Sequence, residues 1–180
     1  MHSYLTYTAR RFAFIVFVAL AIGGLVPQSV YAGNTFIVST EAQLKTAVQM
    51  ANDESQYPGQ DTIKLAVDIN LTTALGQLVI QSDIVIDGSN HHLYCVSDFE
   101  NHIFHVTVSG IFHLQNVTLQ GTEFAPDSYY SCPVLDNDGS TFFQNSTVTW
   151  IRNDNFTGAA LWNKGNLTID TVELSYSGGW

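Results

Sequence analysis

Two carboxylates two residues apart, Asp136 and Asp138, have the spacing best suited to chemistry in this chain of 180 residues. In an extended strand such side chains share one face and lie roughly 7 Å apart. A pair of this kind suits a Ca²⁺ site or the two carboxylates of a glycoside hydrolase. Asp138 precedes Gly139, however, and Asp-Gly is favoured in turns for backbone reasons alone. The sequence therefore offers Asp136 and Asp138 as candidate Ca²⁺ ligands and assigns them no catalytic role.

Five of the six histidines cluster in the middle of the chain, which invites a metal interpretation. Strand alternation argues against it, because it predicts that Phe104, Val106 and Val108 face inward while His105 and His113 face outward. We expect these rings to be solvated. Stacking of outward histidines from adjacent coils into a surface pair is the alternative.

A polysaccharide lyase needs a cation to stabilise the carboxylate beside the abstracted proton, and a base next to it. Beyond residue 32 the cations are Lys45, Lys64, Arg152 and Lys164. Only Lys164 is near Arg152 in sequence, and it occupies a turn position, where lysine is ordinarily solvated. No catalytic constellation emerges, so enzymatic activity stays an open question.

The cysteines are Cys95 and Cys132. An even pair in an exported chain favours a disulfide, and neither residue has a metal-ligand spacing or a feature that marks a nucleophile. Two separate buried thiols are the alternative.

Composition and charge narrow the class of protein. The apolar fraction of 46% can build a core, while the charged fraction of 12% is low and typical of β-rich extracellular proteins. The net charge of −10 excludes a protein that neutralises nucleic-acid phosphates.

The N-terminal segment, residues 1–32, has the layout of a secretory signal peptide. Arg10 and Arg11 precede an apolar run over Phe12–Val26, and the small or apolar residues Val30 and Ala32 suit cleavage after Ala32. A retained membrane anchor is the alternative, but the run is shorter than the roughly 20 residues that a span requires. We expect residues 33–180 to form a secreted or cell-surface protein with no membrane span.

One helix is predicted, over about residues 41–52, with Thr40 and Gln43 at capping-box spacing. From Thr62 onward the apolar period changes from helical to alternating, which indicates strands and turns.

An internal repeat determines the predicted fold. Leu135, Asn137 and Gly139 recur at an offset of 26 as Leu161, Asn163 and Gly165, and Gly110 precedes Gly139 by 29. Units of this length, made of short strands and glycine turns, describe a solenoid whose coils pair their strands in parallel. The helix would cap the first coil, because the apolar end of a solenoid must be covered.

The combined pattern resembles exported right-handed parallel β-helix proteins of the pectate-lyase-like superfamily. The residues that carry the resemblance are Phe36–Thr40 before the helix, the strand and turn Ile84–Gly88, and repeats similar to those of polymorphic outer-membrane adhesins, at Phe142–Asn145 and Gly158–Leu161. The second glycine of the adhesin repeat is replaced here by Ala159. The resemblance implies an all-β right-handed parallel β-helix with one N-terminal capping α-helix, in which residues 33–180 form the capped part of a β-helix that is incomplete at its C-terminus.

The function expected on these grounds is adhesion or binding through an extended polar face. Extracellular polysaccharide or a surface glycan is the expected partner. The aromatic residues that could form a sugar-stacking face if exposed are Tyr129, Tyr130, Trp150, Trp162 and Trp180, and alternation with Leu161 predicts that Trp162 faces outward. The alternative is the N-terminal part of a polysaccharide lyase or glycoside hydrolase whose catalytic coils lie beyond residue 180. An open C-terminal coil would also allow self-association.

Overall fold

The computed structural model of the protein describes residues 33–125, 128–129, 132–149 and 161–175. Among these residues it has one helix, α1 (Glu41–Ala51), and seventeen strands. The strands are β1 (Thr35–Val38), β2 (Asp61–Leu65), β3 (Ile69–Leu71), β4 (Leu78–Ile80), β5 (Asp83–Asp87), β6 (His92–Cys95), β7 (Phe104–Val106), β8 (Ile111–Gln115), β9 (Thr118–Gly121), β10 (Glu123–Ala125), β11 (Ser128–Tyr129), β12 (Leu135–Asn137), β13 (Ser140–Gln144), β14 (Thr147–Thr149), β15 (Leu161–Asn163), β16 (Asn166–Asp170) and β17 (Glu173–Ser175). The predicted signal peptide, residues 1–32, lies outside the described part.

The strands stack into a parallel β-solenoid of about five turns. A long sheet has the order β1-β2-β5-β8-β13-β16, a middle sheet β17-β14-β9-β6-β3, and a short sheet β15-β12-β7-β4. From β2 onward, each coil gives one strand to each sheet in turn, and the antiparallel pair β10–β11 is inserted between β9 and β12. The all-β parallel solenoid with one N-terminal helix, predicted from the repeat, is confirmed.

The strand register matches the sequence repeat. Leu135 pairs with Leu161 and Asn137 with Asn163, which reproduces the offset of 26. Ile111 pairs with Ser140 on the long sheet, which reproduces the offset of 29. The repeat thus reports which residues lie one above another in adjacent coils.

The recurring glycines mark a column where successive coils approach closely. A Cβ on Gly139 would clash with the carbonyl oxygens of Thr107 and Gly110, and a Cβ on Gly165 would clash with the carbonyl oxygen of Gly139. The glycine at each of these turns is therefore required by space, since a side chain would push the coils apart.

A narrow apolar core runs along the axis. Inward residues of the long sheet, such as Ile84, Ile86 and Leu114, are completely buried, and three phenylalanines, Phe104, Phe112 and Phe143, pack in consecutive contact. Strand alternation places these side chains inside, because every second residue of a strand points to the same face.

Helix α1 begins at the predicted cap. The Thr40 hydroxyl accepts a hydrogen bond from the Gln43 N–H at 3.2 Å, and the Gln43 side chain accepts one from the N–H of Ser39, one residue before the cap. Its apolar face joins the core through Leu44, Ala47, Val48 and Ala51. The helix packs on β1 to β5 and so covers apolar side chains of the first coils.

Cys95 and Cys132 form a disulfide, with Cα atoms 6.1 Å apart. The bridge joins the end of β6 to the segment that leads into β12, and both cysteines are fully buried. The disulfide favoured by the even cysteine pair is confirmed. Within the described residues, no helix has the length and hydrophobicity that crossing a bilayer would require.

Candidate functional site on the short sheet

The short sheet carries a row of outward side chains, Val79, His105, Asp136 and Trp162, which we term the outer row. Strand pairing brings them together, because Val79 pairs with His105, His105 with Asp136, and Asp136 with Trp162. Adjacent strands are about 4.8 Å apart, so the row presents one group per coil at that spacing.

His105 and Asp136 form a close pair at the centre of the outer row. Nδ1 of His105 lies 3.0 Å from Oδ2 of Asp136, and each side chain is only 25% exposed. The expectation that His105 is solvated is therefore wrong. Register explains the difference, because the strand that follows His105 in the sheet brings a carboxylate directly beside the ring.

The predicted inward position of Val108 is also wrong, since this side chain is 84% exposed. Strand β7 ends at Val106 and the chain then turns, so alternation does not continue to residue 108.

Asp138 completes a cluster with the pair. One ligand atom each of His105, Asp136 and Asp138 lies within 4.8 Å of the others, so these three residues could hold a metal ion. Asp138 also receives the ammonium group of Lys164, with Nζ 3.2 Å from Oδ1. The structure thus brings together the two carboxylates of the candidate Ca²⁺ pair and places His105 beside them, which strand alternation alone does not predict.

Trp162 and Lys164 form the end of the site. Trp162 is 44% exposed, which confirms the outward orientation expected from alternation. Nζ of Lys164 lies 5.9 Å from the centroid of the indole ring, within range of a cation–π contact. An exposed indole between charged groups suits a ligand with both apolar and hydroxylated surfaces.

Asn137 supports the site from inside the coil. Its Nδ2 donates to Oδ1 of Asn163 at 2.6 Å and to the carbonyl of Asn166 at 2.9 Å. Its Oδ1 accepts from the hydroxyl of Thr141 at 2.9 Å and from the N–H of Gly139 at 3.2 Å. All four bonding positions of this buried amide are filled, which fixes the turn that carries Asp138.

Replacing Asn137 with alanine is expected to lower the free energy of unfolding by about 2–3 kcal/mol, because it leaves two buried donors, on Gly139 and Thr141, and two acceptors, on Asn163 and Asn166, without these partners. Urea denaturation followed by tryptophan fluorescence measures this. The matched control is Asn70→Ala at an exposed position of β3, where a change within about 0.5 kcal/mol is expected. Equal losses for both variants would contradict a structural role for the Asn137 network.

A second histidine–aspartate pair lies on the long sheet. His113 approaches Asp83, with Nε2 3.5 Å from Oδ1, and its ring stacks on Phe142 of the next coil. Gln60 donates to Asp83 at 3.0 Å, and its Nε2 lies 3.5 Å from Nε2 of His113, so the third group beside this pair is an amide and not a carboxylate. His113 is half-buried in these contacts, which corrects the expectation of a solvated ring.

His91 and His92 meet Asp68 at a turn. The N–H of His92, 2.9 Å from Oδ1, and the ring of His91 hold the pKa of Asp68 below its ordinary value. The carboxylate therefore stabilises the fold at neutral pH. This stabilisation starts to decrease when the pH falls to the ordinary pKa of aspartate, and it is lost once the pH has passed below the lowered pKa of Asp68.

Within the part of the chain that the structure describes, the lysines considered for lyase chemistry do not lie together beside one carboxylate pair. Lys45 donates to the carbonyl of Ala74, and Lys64 is exposed on the long sheet. Arg152 lies outside the described residues. Lys164 is the cation that the structure places at the candidate site.

Comparison of the chain with protein-family models, with curated proteins and with solved structures found no match.

Proposed function

We propose that the chain is an exported binding module that recognises an extracellular polysaccharide or surface glycan through the outer row. The proposal extends to kinship with the pectate-lyase-like β-helix proteins, supported by the parallel coils and the strand and turn motifs. Export is supported by the signal-like leader and by the Cys95–Cys132 disulfide, since such bridges persist in oxidising compartments.

The observation that carries the proposal is the exposed indole of Trp162 in register with Asp136. An indole face packs on the apolar face of a sugar ring, while carboxylate and imidazole groups exchange hydrogen bonds with hydroxyl groups. The outer row supplies both kinds of contact along one line, as a linear polymer requires.

The charge of the chain favours a neutral glycan. With a net charge of −10, the protein repels polyanionic chains over the range that ionic screening allows. The cation at the site, Lys164, is already engaged by Asp138 at 3.2 Å. We therefore expect binding to neutral polysaccharides to exceed binding to acidic ones at low salt.

Replacing Trp162 with alanine is expected to weaken binding to a neutral polysaccharide by roughly tenfold or more, because a stacked aromatic is the kind of residue that dominates interface energetics. Affinity electrophoresis of the purified chain through gels containing a panel of neutral and acidic polysaccharides gives the dissociation constants.

The matched control is Phe142→Ala, which removes an outward aromatic ring from the long sheet instead of the short one. Its retardation should equal that of the wild type. Equal weakening by both variants would contradict a site on the outer row, and release of reducing ends from any polysaccharide would favour the lyase or hydrolase alternative instead.

A further inference from the structure

Histidine–aspartate pairs recur along the solenoid, and the pair on the short sheet differs from two others. His91 lies 3.3 Å from Asp68 and His113 lies 3.5 Å from Asp83. The pair of His105 and Asp136 has in addition a further acidic ligand, Asp138, within reach. We propose that His105, Asp136 and Asp138 form a binding site for a divalent transition-metal ion of the zinc type.

The donor set selects the class of metal. Calcium takes six to eight oxygen ligands, whereas an imidazole nitrogen with two carboxylates suits zinc and its neighbours. Three protein ligands leave a position for water or a ligand hydroxyl group. The candidate calcium pair inferred from sequence thus becomes part of a mixed nitrogen and oxygen site.

The separation of the donors is close to what the metal requires. Zinc bonds to nitrogen and oxygen are about 2.0–2.2 Å, which places tetrahedral ligand atoms roughly 3.4 Å apart. Nδ1 of His105 and Oδ2 of Asp136 are already 3.0 Å apart. The ligand atom of Asp138 is within 4.8 Å of both, so closing the site around a metal requires a small movement of this partly exposed side chain.

An unsatisfied atom at the site supports the inference independently. Oδ1 of Asp136 is buried and has no hydrogen-bond partner, although Oδ2 of the same carboxylate contacts His105. A buried acceptor without a partner is unfavourable, because the group has lost its hydration without replacement. A cation bound by the Asp136 carboxylate would interact with the charge that Oδ1 and Oδ2 share, and so would offset the lost hydration of Oδ1.

Lys164 pairs with one of the three proposed ligands, Asp138. Its ammonium group neutralises Asp138, yet the side chain is 58% exposed and can leave without breaking a buried contact. Metal and lysine therefore compete for Asp138. Removing the lysine charge should therefore strengthen metal binding at this site. Metal bound non-specifically elsewhere on the surface would not respond to this change.

The test is titration of the untagged purified chain with Zn²⁺ alone, by calorimetry and by competition with a zinc-binding dye. We expect one ion per chain for the wild type. His105→Ala and Asp138→Asn should each weaken binding by at least about tenfold, and Lys164→Ala should tighten it a few-fold. The matched control is His113→Ala, because among the described residues the pair of His113 and Asp83 has no third acidic residue beside it. This variant should bind zinc as the wild type does.

Thermal unfolding of each variant verifies that it is folded. If His105→Ala does not fold, Asp138→Asn still tests the site, because it is an isosteric change at a partly exposed turn. The imidazole NMR signals give a second readout, in which those of His105 should shift on zinc addition while those of His113 stay in place. Absence of stoichiometric binding, or equal losses in His105→Ala and His113→Ala, would overturn the proposal. A failed titration would leave the Trp162 experiment unaffected, because sugar stacking on the indole does not require the metal.

Discussion

Replacing Phe112 with alanine is expected to lower the free energy of unfolding by about 3–5 kcal/mol. Phe112 is completely buried, and its ring centroid lies 4.9 Å from that of Phe104 and 6.4 Å from that of Phe143. These three residues belong to strands of successive coils and of two sheets. The cavity left by the alanine would therefore remove packing contacts with both neighbouring coils. A solenoid has only neighbouring coils with which to compensate, since stability is a sum of coil and interface contributions.

Urea denaturation at equilibrium measures this loss, provided that fluorescence and circular dichroism give coincident transitions. The matched control is Phe142→Ala, one residue from the inward Phe143 on the same strand but facing outward. We expect a loss of about 1 kcal/mol there, from the contact with the His113 ring. Similar losses for Phe112 and Phe142 would contradict the assignment of inward and outward faces.

Removing the Cys95–Cys132 bridge is expected to cost about 3–4 kcal/mol, because the bridge closes a loop between positions 37 apart in sequence and restricts the unfolded chain. The double variant Cys95→Ala/Cys132→Ala tests this, since alanine avoids placing a hydroxyl group in a fully buried position. The measurement is the urea midpoint of the double variant beside that of the oxidised wild type.

Reduction provides the internal control. The wild type in excess dithiothreitol, and each single alanine variant, should unfold near the midpoint of the double variant. If the reductant leaves the wild-type midpoint unchanged although titration then finds two free thiols, the bridge contributes nothing and the prediction fails.

Much of the fold was predictable because the repeat reports register directly. The recurrence of Leu135, Asn137 and Gly139 at an offset of 26 gives the pairing of β12 with β15, and alternation from that register places Trp162 outside. Capping chemistry at Thr40 located the helix to within one residue at its C-terminal end. These features depend on local patterns that short segments of sequence contain in full.

The contact of His105 with Asp136 was not predictable in the same way. The offset of 29 that relates β8 to β13 on the long sheet would pair His105 with Val134, whereas the short sheet pairs His105 with Asp136, at an offset of 31. The turn from β7 to β8, which contains Val108, is two residues longer than the turn from β12 to β13. A single repeat length cannot describe both faces when turn lengths vary between coils, so side-chain clusters that span coils require the structure.

The most direct test of the outer row as the binding surface is amide hydrogen exchange of the chain with and without the neutral polysaccharide that retards it most. We expect slower exchange concentrated in β7, β12 and β15 and in the turn at Lys164, with exchange in the long sheet unchanged. Protection confined to the long or middle sheet, or no saturable binding to any polysaccharide in the panel, would contradict it.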